Sequence, residues 1–336
     1  MNGKPKQDAQ KFVQLFDELK LAPWIGSRFW WPDFLFHFTD IKNAVSILNS
    51  GFLLSRSQLE LRDQSWEDAA SKHIIDQTDT RLTDYVRLYF RPLTPTAFRN
   101  EGFKPSNRLY HNAHCPTPIY LLFDLRQIIT LEKTKFSAGS LARRDYELFD
   151  SAEELLCLNF CDIFHNAPFG DDERNRIINA RHAEVVFPER LSLYYLKYIC
   201  CRSQAEYDTL RNLLSHVNWN KWKSKVRFRN PHVLFHRRWL HVRDTTLTRN
   251  HIVFNLHPPT ELQDCGPFRL RVDINDYWSQ DSYYYDCEYT NIIEELPNMR
   301  LELDLKEAHL RDYSVSLTID DKLAYSGAYT DDTIPF

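Results

Sequence analysis

A carboxylate on an apolar run, a histidine and a threonine two residues apart, and a row of alternating cations are the groups in this chain whose types and spacing could do chemistry. Glu184 lies in Ala183-Glu-Val-Val-Phe187, a short strand-like run in which Ala183, Val185 and Phe187 share one face and leave Glu184 on the other. A carboxylate held there can stabilise developing positive charge or take a proton. Taken alone, the position is that of a solvated residue on a half-exposed strand, because Glu is rarely buried unless paired. His37 and Thr39 close the run Phe34-Leu-Phe-His-Phe-Thr39, and alone His37 reads as a satisfied, half-buried histidine beside a helix start. From Lys221 to Arg229 a basic residue occupies every odd position, with Trp222, Val226 and Phe228 on even ones. An extended strand would therefore put Lys221, Lys223, Lys225, Arg227 and Arg229 on one face. Cations interleaved with aromatic rings suit a phosphate backbone and stacked bases; pairing with acidic groups elsewhere in the chain is the competing reading. No GxSxG elbow, GxxxxGK[ST] loop or HExxH pair occurs. His111, His114 and Cys115 lie close in sequence but lack a second ligand pair at finger-like spacing, so no metal is predicted.

The elements that must position these groups follow from periodicity. The strand over 34–39 runs into a helix capped by Thr39 or Asp40, with Ile41, Ala44, Val45 and Leu48 on one face and an end at Gly51. Residues 85–90, the apolar run from Ile119, 183–187 and 191–199 each read as strands. Ser203 and Glu206 fit a capping box opening a helix along which Leu210, Leu213, Leu214 and Val217 lie. Strands and helices mix without regular βαβ alternation, which favours an α+β first domain. After Arg227 the runs VRFR, HIVFNL, FRLRVDI, MRLELDL and YSVSLTI are separated by turn residues, the spacing of a small antiparallel sandwich or barrel. At 336 residues the chain exceeds the size at which one core stops growing. The expectation is a domain over 1–218, followed by a smaller β-rich domain over 219–336 that begins with the basic strand.

Charge is unevenly spread. Residues 221–250 hold nine Lys or Arg against one acidic residue, whereas 251–336 hold six basic and seventeen acidic residues, local charges of +8 and -11 within a net -4. Such asymmetry speaks of partners more than of fold. The seven cysteines are odd in number and form no CxxC framework, as expected of free thiols in a reducing compartment. With no apolar signal core at the start and no run near the roughly 20 apolar residues of a membrane span, a cytoplasmic protein with no membrane partner is expected.

Four segments carry a family resemblance in the same order. They are LFHFTDIKNAVSILNSGFLLS (35–55), YVRLYFRPLTPTAF (85–98), PIYLLFDLRQI with FSAGSLA (118–142), and RHAEVVFPERL (181–191). Together they resemble the DarT family of DNA ADP-ribosyltransferase toxins: its opening His-x-Thr strand and helix, its Tyr-Val-x-x-Tyr-Phe strand with Arg-Ser-Pro, its central strand and Ser-Asp-Gly turn, and its RQAE-type motif. Here Arg91 is displaced to before Pro92, and Gly139-Ser140-Leu141 stands where the family turn commonly carries a histidine after its Gly. The family's substrate-side arginine lies between the first helix and the second motif, where Arg56, Arg62 and Arg81 are the candidates.

The resemblance implies an ADP-ribosyltransferase-like mixed core and an enzyme that consumes NAD+ as substrate. Glu184 would be the catalytic carboxylate, His37 and Thr39 would hold the dinucleotide, and Tyr85 or Tyr89 would stack on the nicotinamide ring. Breaking the nicotinamide–ribose bond builds positive charge on the ribose, and Glu184 could both orient the ribose hydroxyls and take the acceptor's proton. A base in single-stranded DNA is the expected acceptor, since its edge must be reachable. RNA is the alternative acceptor, and a catalytically inactive NAD- and nucleic-acid-binding module the alternative class. A toxin role in phage defence and a macrodomain antitoxin as partner are implied by the resemblance.

Overall fold

The computed structural model describes residues 3–331 except 63–65, 67–78, 112, 229–230, 290–295 and 309. The chain divides into two compact units, Met1–Arg99 with Tyr120–Ile199, and Asn100–Ile119 with Cys200–Phe336.

The first unit is built on a mixed sheet. Its strands are β1 (Phe34–Asp40), β3 (Tyr85–Tyr89), β4 (Pro118–Asp124), β5 (Lys135–Phe136), β6 (Glu184–Pro188) and β8 (Leu196–Cys201), in the order β5-β6-β3-β1-β4-β8. A separate two-stranded ribbon joins β2 (Phe52–Leu54) to β7 (Arg190–Ser192). β4 is buried from Pro118 to Phe123, as its continuous apolar run requires of a strand covered on both faces. The helix Ala9–Leu21 buries Phe12 and Phe16, and Phe16 meets Phe90 and Phe160 at ring distances of 6.2 and 5.6 Å. The helix after β1 forms as its signals predict. The Asp40 carboxylate caps it by accepting from the Lys42 N–H at 2.9 Å, and Gly51 ends it at φ 78°, a left-handed conformation in which a side chain would be strained.

The second unit holds two antiparallel sheets around one core. The strands β10 (His241–Leu247), β11 (His251–His257) and β14 (Arg300–Asp304) form one; the other runs β13 (Ser282–Tyr289), β12 (Phe268–Asp276), β15 (Tyr313–Ile319), β16 (Lys322–Tyr329). Val242, Ile252 and Phe254 of the first sheet share this core with Leu270, Val272, Val315 and Leu317 of the second, which makes the unit a sandwich. An α+β fold with a β-rich second part is therefore the architecture.

Three sequence expectations need correction. The division falls after Ile199, ahead of the expected 218, and residues 100–119 belong to the second unit. Long-range bonds cause this: the Phe103 N–H donates to the Leu240 carbonyl, Arg108 pairs with Asp264 at 2.7 Å, and the Thr117 hydroxyl donates to the Leu323 carbonyl at 2.6 Å. The run 191–199 is broken by a turn at Leu193–Tyr195, because the Ser192 hydroxyl accepts from the Tyr194 N–H. The basic strand is not one. Ser215 caps a helix His216–Trp222, on which Val217 is exposed, and a tight turn follows at Lys223–Lys225, so only Val226–Arg227 is extended, as β9. A local cap overrides the two-residue alternation, and Lys223, Lys225 and Arg227 do not share a strand face. Lys221 and Lys225 lie against the ring of buried Trp222, Lys223 donates to the Asn220 side chain, and Arg227 donates to the carbonyls of Ser224 and Val226. Arg229 lies outside the described residues.

Candidate active site

Glu184 opens β6 and is only 1 % exposed. The alternation of β6 places it away from Ala183 and Val185 as expected, but that face is covered too. A carboxylate at such depth needs a partner. Arg87 supplies it: its Nε donates to Oε2 and its Nη2 to Oε1 of Glu184, both at 2.6 Å, a two-pronged pairing that fixes the carboxylate plane. Burial opposes the charge of Arg87, and the neighbouring carboxylate more than offsets it, so the guanidinium is held charged.

Strand register brings the pair together. Tyr89 stands directly across β3–β6 from Glu184, and Phe36 stands across β1–β3 from Tyr89. Tyr85, Arg87 and Tyr89 alternate onto one face of β3, so the same register carries Arg87 to the carboxylate. Burial first, and then the negative charge of Glu184, push the Tyr89 phenol up to about 12.

The segment after β5 wraps the other side of the carboxylate. The Ser137 hydroxyl accepts from the Glu184 N–H at 3.2 Å and donates to the Gly139 carbonyl at 2.7 Å, while the Ser137 N–H donates to the Glu184 carbonyl at 2.8 Å. The Leu141 N–H lies 3.5 Å from Oε1. Gly139 is needed for close approach: a Cβ there would sit 2.4 Å from Nδ2 of Asn179, whose Oδ1 accepts from the Ser140 N–H. This turn and the helix Arg174–Ala180 border a polar cavity of about 320 Å³, lined among others by Ser137, Gly139, Ser140, Tyr146 and Asn179.

The remaining predicted residues fall into two groups. His37 and Thr39 lie on β1 as expected. The Nδ1–H of His37 donates to the Arg87 carbonyl at 3.2 Å, which ties the histidine to the strand bearing the ion pair. Thr39 is buried, and its hydroxyl accepts from the Asn43 side chain at 3.3 Å. Tyr85, by contrast, packs against Leu82, Leu141 and Val186 and supports the turn from below. Arg87, which meets Glu184, is not singled out by the sequence, where Arg56, Arg62 and Arg81 are candidates for a different role, the substrate-side arginine. Arg81 pairs with Asp79 at 2.6 Å and is exposed, and Arg56 lies over the Trp66 ring. Among the described residues no group of His, Cys, Asp and Glu is placed to hold a metal, and His114 instead contacts the Gly102 carbonyl. No helix among those residues is long and apolar enough to cross a membrane.

Burial holds His37 and His182 down to about 4, and for His182 the charges of Arg99, Arg87 and Arg91 add to it. Both are neutral near pH 7 in the folded chain. Unfolded, each would take up a proton near pH 6.5, so the unfolded state binds more protons between about pH 6.5 and 4. Stability should therefore fall as pH drops through that window, by up to about 1.4 kcal/mol per pH unit for each histidine. Urea denaturation at pH 7 and pH 5 checks this: a chain carrying His37→Gln and His182→Gln should show a flatter dependence, and an equal slope would contradict the assignment.

Comparison with known proteins identifies the family. A family model described as "ssDNA thymidine ADP-ribosyltransferase, DarT" matches residues 36–235, more than half of the chain. Thermus sp. 2.9 DarT in complex with ADP-ribosylated ssDNA is 18 % identical, with 59 % of this chain and 94 % of that one covered at a TM-score of 0.45. The same protein in complex with NAD+ gives 18 %, 59 % and 93 % at 0.44. Thermosipho africanus DarTG in complex with ADP-ribose is 16 % identical, with 67 % and 55 % covered at 0.46. No curated protein matches. By the match over residues 36–235, which takes in β1, β3, the Ser137 turn and the Glu184 strand, the chain belongs to the DarT family of single-stranded-DNA thymidine ADP-ribosyltransferases.

Proposed function

We propose that this chain transfers ADP-ribose from NAD+ to a thymidine base of single-stranded DNA, with the buried Glu184–Arg87 pair as its catalytic centre. The observation that carries this reading is a carboxylate 1 % exposed, fixed by two 2.6 Å bonds to one guanidinium and by the Ser137 turn, inside a family match for this chemistry. In the reaction the ribose–nicotinamide bond breaks, nicotinamide leaves with the electron pair, and a ring nitrogen of the base bonds to the same ribose carbon. Glu184 stabilises the positive charge on the sugar and receives the proton that the ring nitrogen gives up. Arg87 orients the carboxylate. His37 and Thr39 hold the dinucleotide, Tyr89 faces its nicotinamide ring, and Tyr85 braces the turn.

The residues present suit NAD+: a neutral histidine, a threonine hydroxyl and a tyrosine ring suit an uncharged amide, a ribose and an aromatic cation. Lys223, Lys225, Arg227 and Arg229 add to acceptor binding by charge, within the +8 stretch. The role proposed with this activity is that of a toxin paired with a macrodomain antitoxin, acting in the cytoplasm in phage defence, as the resemblance of the four sequence segments implies.

Labelled NAD+ offered together with single-stranded DNA, single-stranded RNA and the protein itself tests this. Label should appear on DNA and vanish with Glu184→Ala. Label confined to RNA or to protein would refute the acceptor class.

A further inference from the structure

We propose that Arg28, Arg91 and Arg181 form a phosphate-ester binding site around the segment Ile163–Ala167 of the first unit, an inference that rests on the transferase reading above. Arg28 donates to the Phe164 carbonyl, Arg91 to the carbonyls of Ile163 and His165 and to the Asn166 side chain, and Arg181 to Nδ1 of His165 and the Ala167 carbonyl. Three guanidiniums thus converge on five residues, and each is satisfied only by neutral groups. The nearby carboxylate of Asp162 is already taken by Arg176 and Asn159.

Cations brought this close without a counter-ion repel one another, and the interior screens them poorly. Arg91, only 1 % exposed, shows the consequence: burial and then the charges of Arg181 and Arg28 push it down to about 9. An anion seated on the cluster would relieve that repulsion. Arg28 and Arg181 are half-buried and reach solvent, so they would make the contacts while Arg91 adds charge from beneath. Nε of Arg181 is buried and has no hydrogen-bond partner.

Planar guanidinium donors suit a phosphate ester best. Aromatic rings line the same cluster: Phe169 lies 4.8 Å beneath Arg181, and Trp31 4.9 Å beneath Arg91. Cations with stacking rings are what a single-stranded backbone uses. The diphosphate of the dinucleotide presents the same chemistry. Arg181 also lies three residues ahead of Glu184, and Arg91 two residues past Tyr89, so the cluster flanks both strands of the candidate site.

The test uses the full chain with Arg28→Gln and Arg181→Gln, singly and together, and Arg181→Lys as the variant that keeps the charge. Two ligands are titrated separately, a fluorescent thymidine-containing single-stranded DNA at several salt concentrations and NAD+ by calorimetry. The double variant should bind one or both roughly ten- to a hundred-fold more weakly, with Arg181→Lys retaining most of the affinity. Loss on the DNA arm, with a salt slope reduced by about 0.7 per phosphate contact removed, assigns the acceptor backbone. Loss on the NAD+ arm alone assigns the dinucleotide diphosphate. Unchanged affinity on both arms, in a variant that melts like the wild type, would overturn the site while leaving the transferase reading intact. A wild-type chain binding neither ligand would overturn both.

Discussion

Glu184→Gln should lower the rate of ADP-ribose transfer by about 10²- to 10⁴-fold while NAD+ still binds. Glutamine keeps the shape of the side chain and can still accept a bond from Arg87, but it offers neither the negative charge that stabilises the sugar cation nor a site for the acceptor's proton. The loss should appear in kcat, because those contributions arise in the transition state, with much less change in the NAD+ dissociation constant. Single-turnover transfer to a thymidine-containing oligonucleotide, beside NAD+ titration of the same sample, separates the two. A variant retaining a tenth or more of the wild-type rate would remove Glu184 from the chemistry. Arg87→Met should cost a comparable factor by a different route, since it leaves a carboxylate 1 % exposed without its partner.

The second large effect is on stability, in the sandwich unit. Arg202 is 2 % exposed and donates to both carboxylates flanking it: Nε to Glu206 at 2.9 Å, Nη2 to Glu206 at 2.5 Å, and Nη1 to Glu101 at 3.5 Å. Its Nη2 also donates to the Pro116 carbonyl. The same two carboxylates gather other donors. Glu101 accepts from the N–H groups of His236 and Arg237 at 2.8 Å each, and Glu206 accepts from the Arg202 N–H at 2.7 Å. One guanidinium therefore ties segment 100–119 to the chain from 200 onward.

Arg202→Met would leave the buried Glu206 carboxylate without its cation and Glu101 without one of its donors, and breaking such a pair costs about 3–5 kcal/mol. For a unit of this size that is roughly 6–20 °C of melting temperature. Burial already pushes the Glu206 carboxyl up to about 7 against the pull of Arg202. Without Arg202 the Glu206 carboxyl would sit higher still, so the folded variant would hold that proton to higher pH than the folded wild type does. The deficit should shrink as pH falls toward about 7, below which both folded forms carry the Glu206 proton. Adding Glu101→Gln and Glu206→Gln should recover much of the loss. Thermal melts at pH 8.5 and pH 7 provide the check, and a variant melting within 2 °C or so of the wild type at pH 8.5 would show that the cluster is not a buried ion network.

How much of this was legible follows from how local each signal is. The strand ending in His37 and Thr39, the Asp40 cap and the Gly51 stop lie within eighteen residues of one another, and each forms as read. The Ser203 cap also forms, but the glutamate three residues on reaches back one position further than a capping box would, to the Arg202 N–H. Burial of Glu184 was not legible from its own strand, because its partner is 97 residues away. A trace of it existed: Arg87 interrupts the apolar and aromatic face pattern of Tyr85-Val-Arg-Leu-Tyr89, and an arginine inside a strand needs an anion opposite.

Non-local pairing also explains the domain boundary. Nothing around residue 100 announces a change of unit, and Glu101 is tied to the later chain by Arg202, His236 and Arg237. The basic run 221–229 shows the opposite failure. Its two-residue charge pattern is real, but Ser215 caps a helix just ahead of it and the backbone follows the cap.

The most direct measurement of the central claim is the mass of a single-stranded oligonucleotide after incubation with the protein and NAD+. Two oligonucleotides are compared, identical except that every thymidine in one is replaced by deoxycytidine. Only the thymidine-containing strand should gain the mass of ADP-ribose, and Glu184→Gln should abolish the gain. Modification of the thymidine-free strand, or none of either strand by a protein that consumes NAD+, would contradict it.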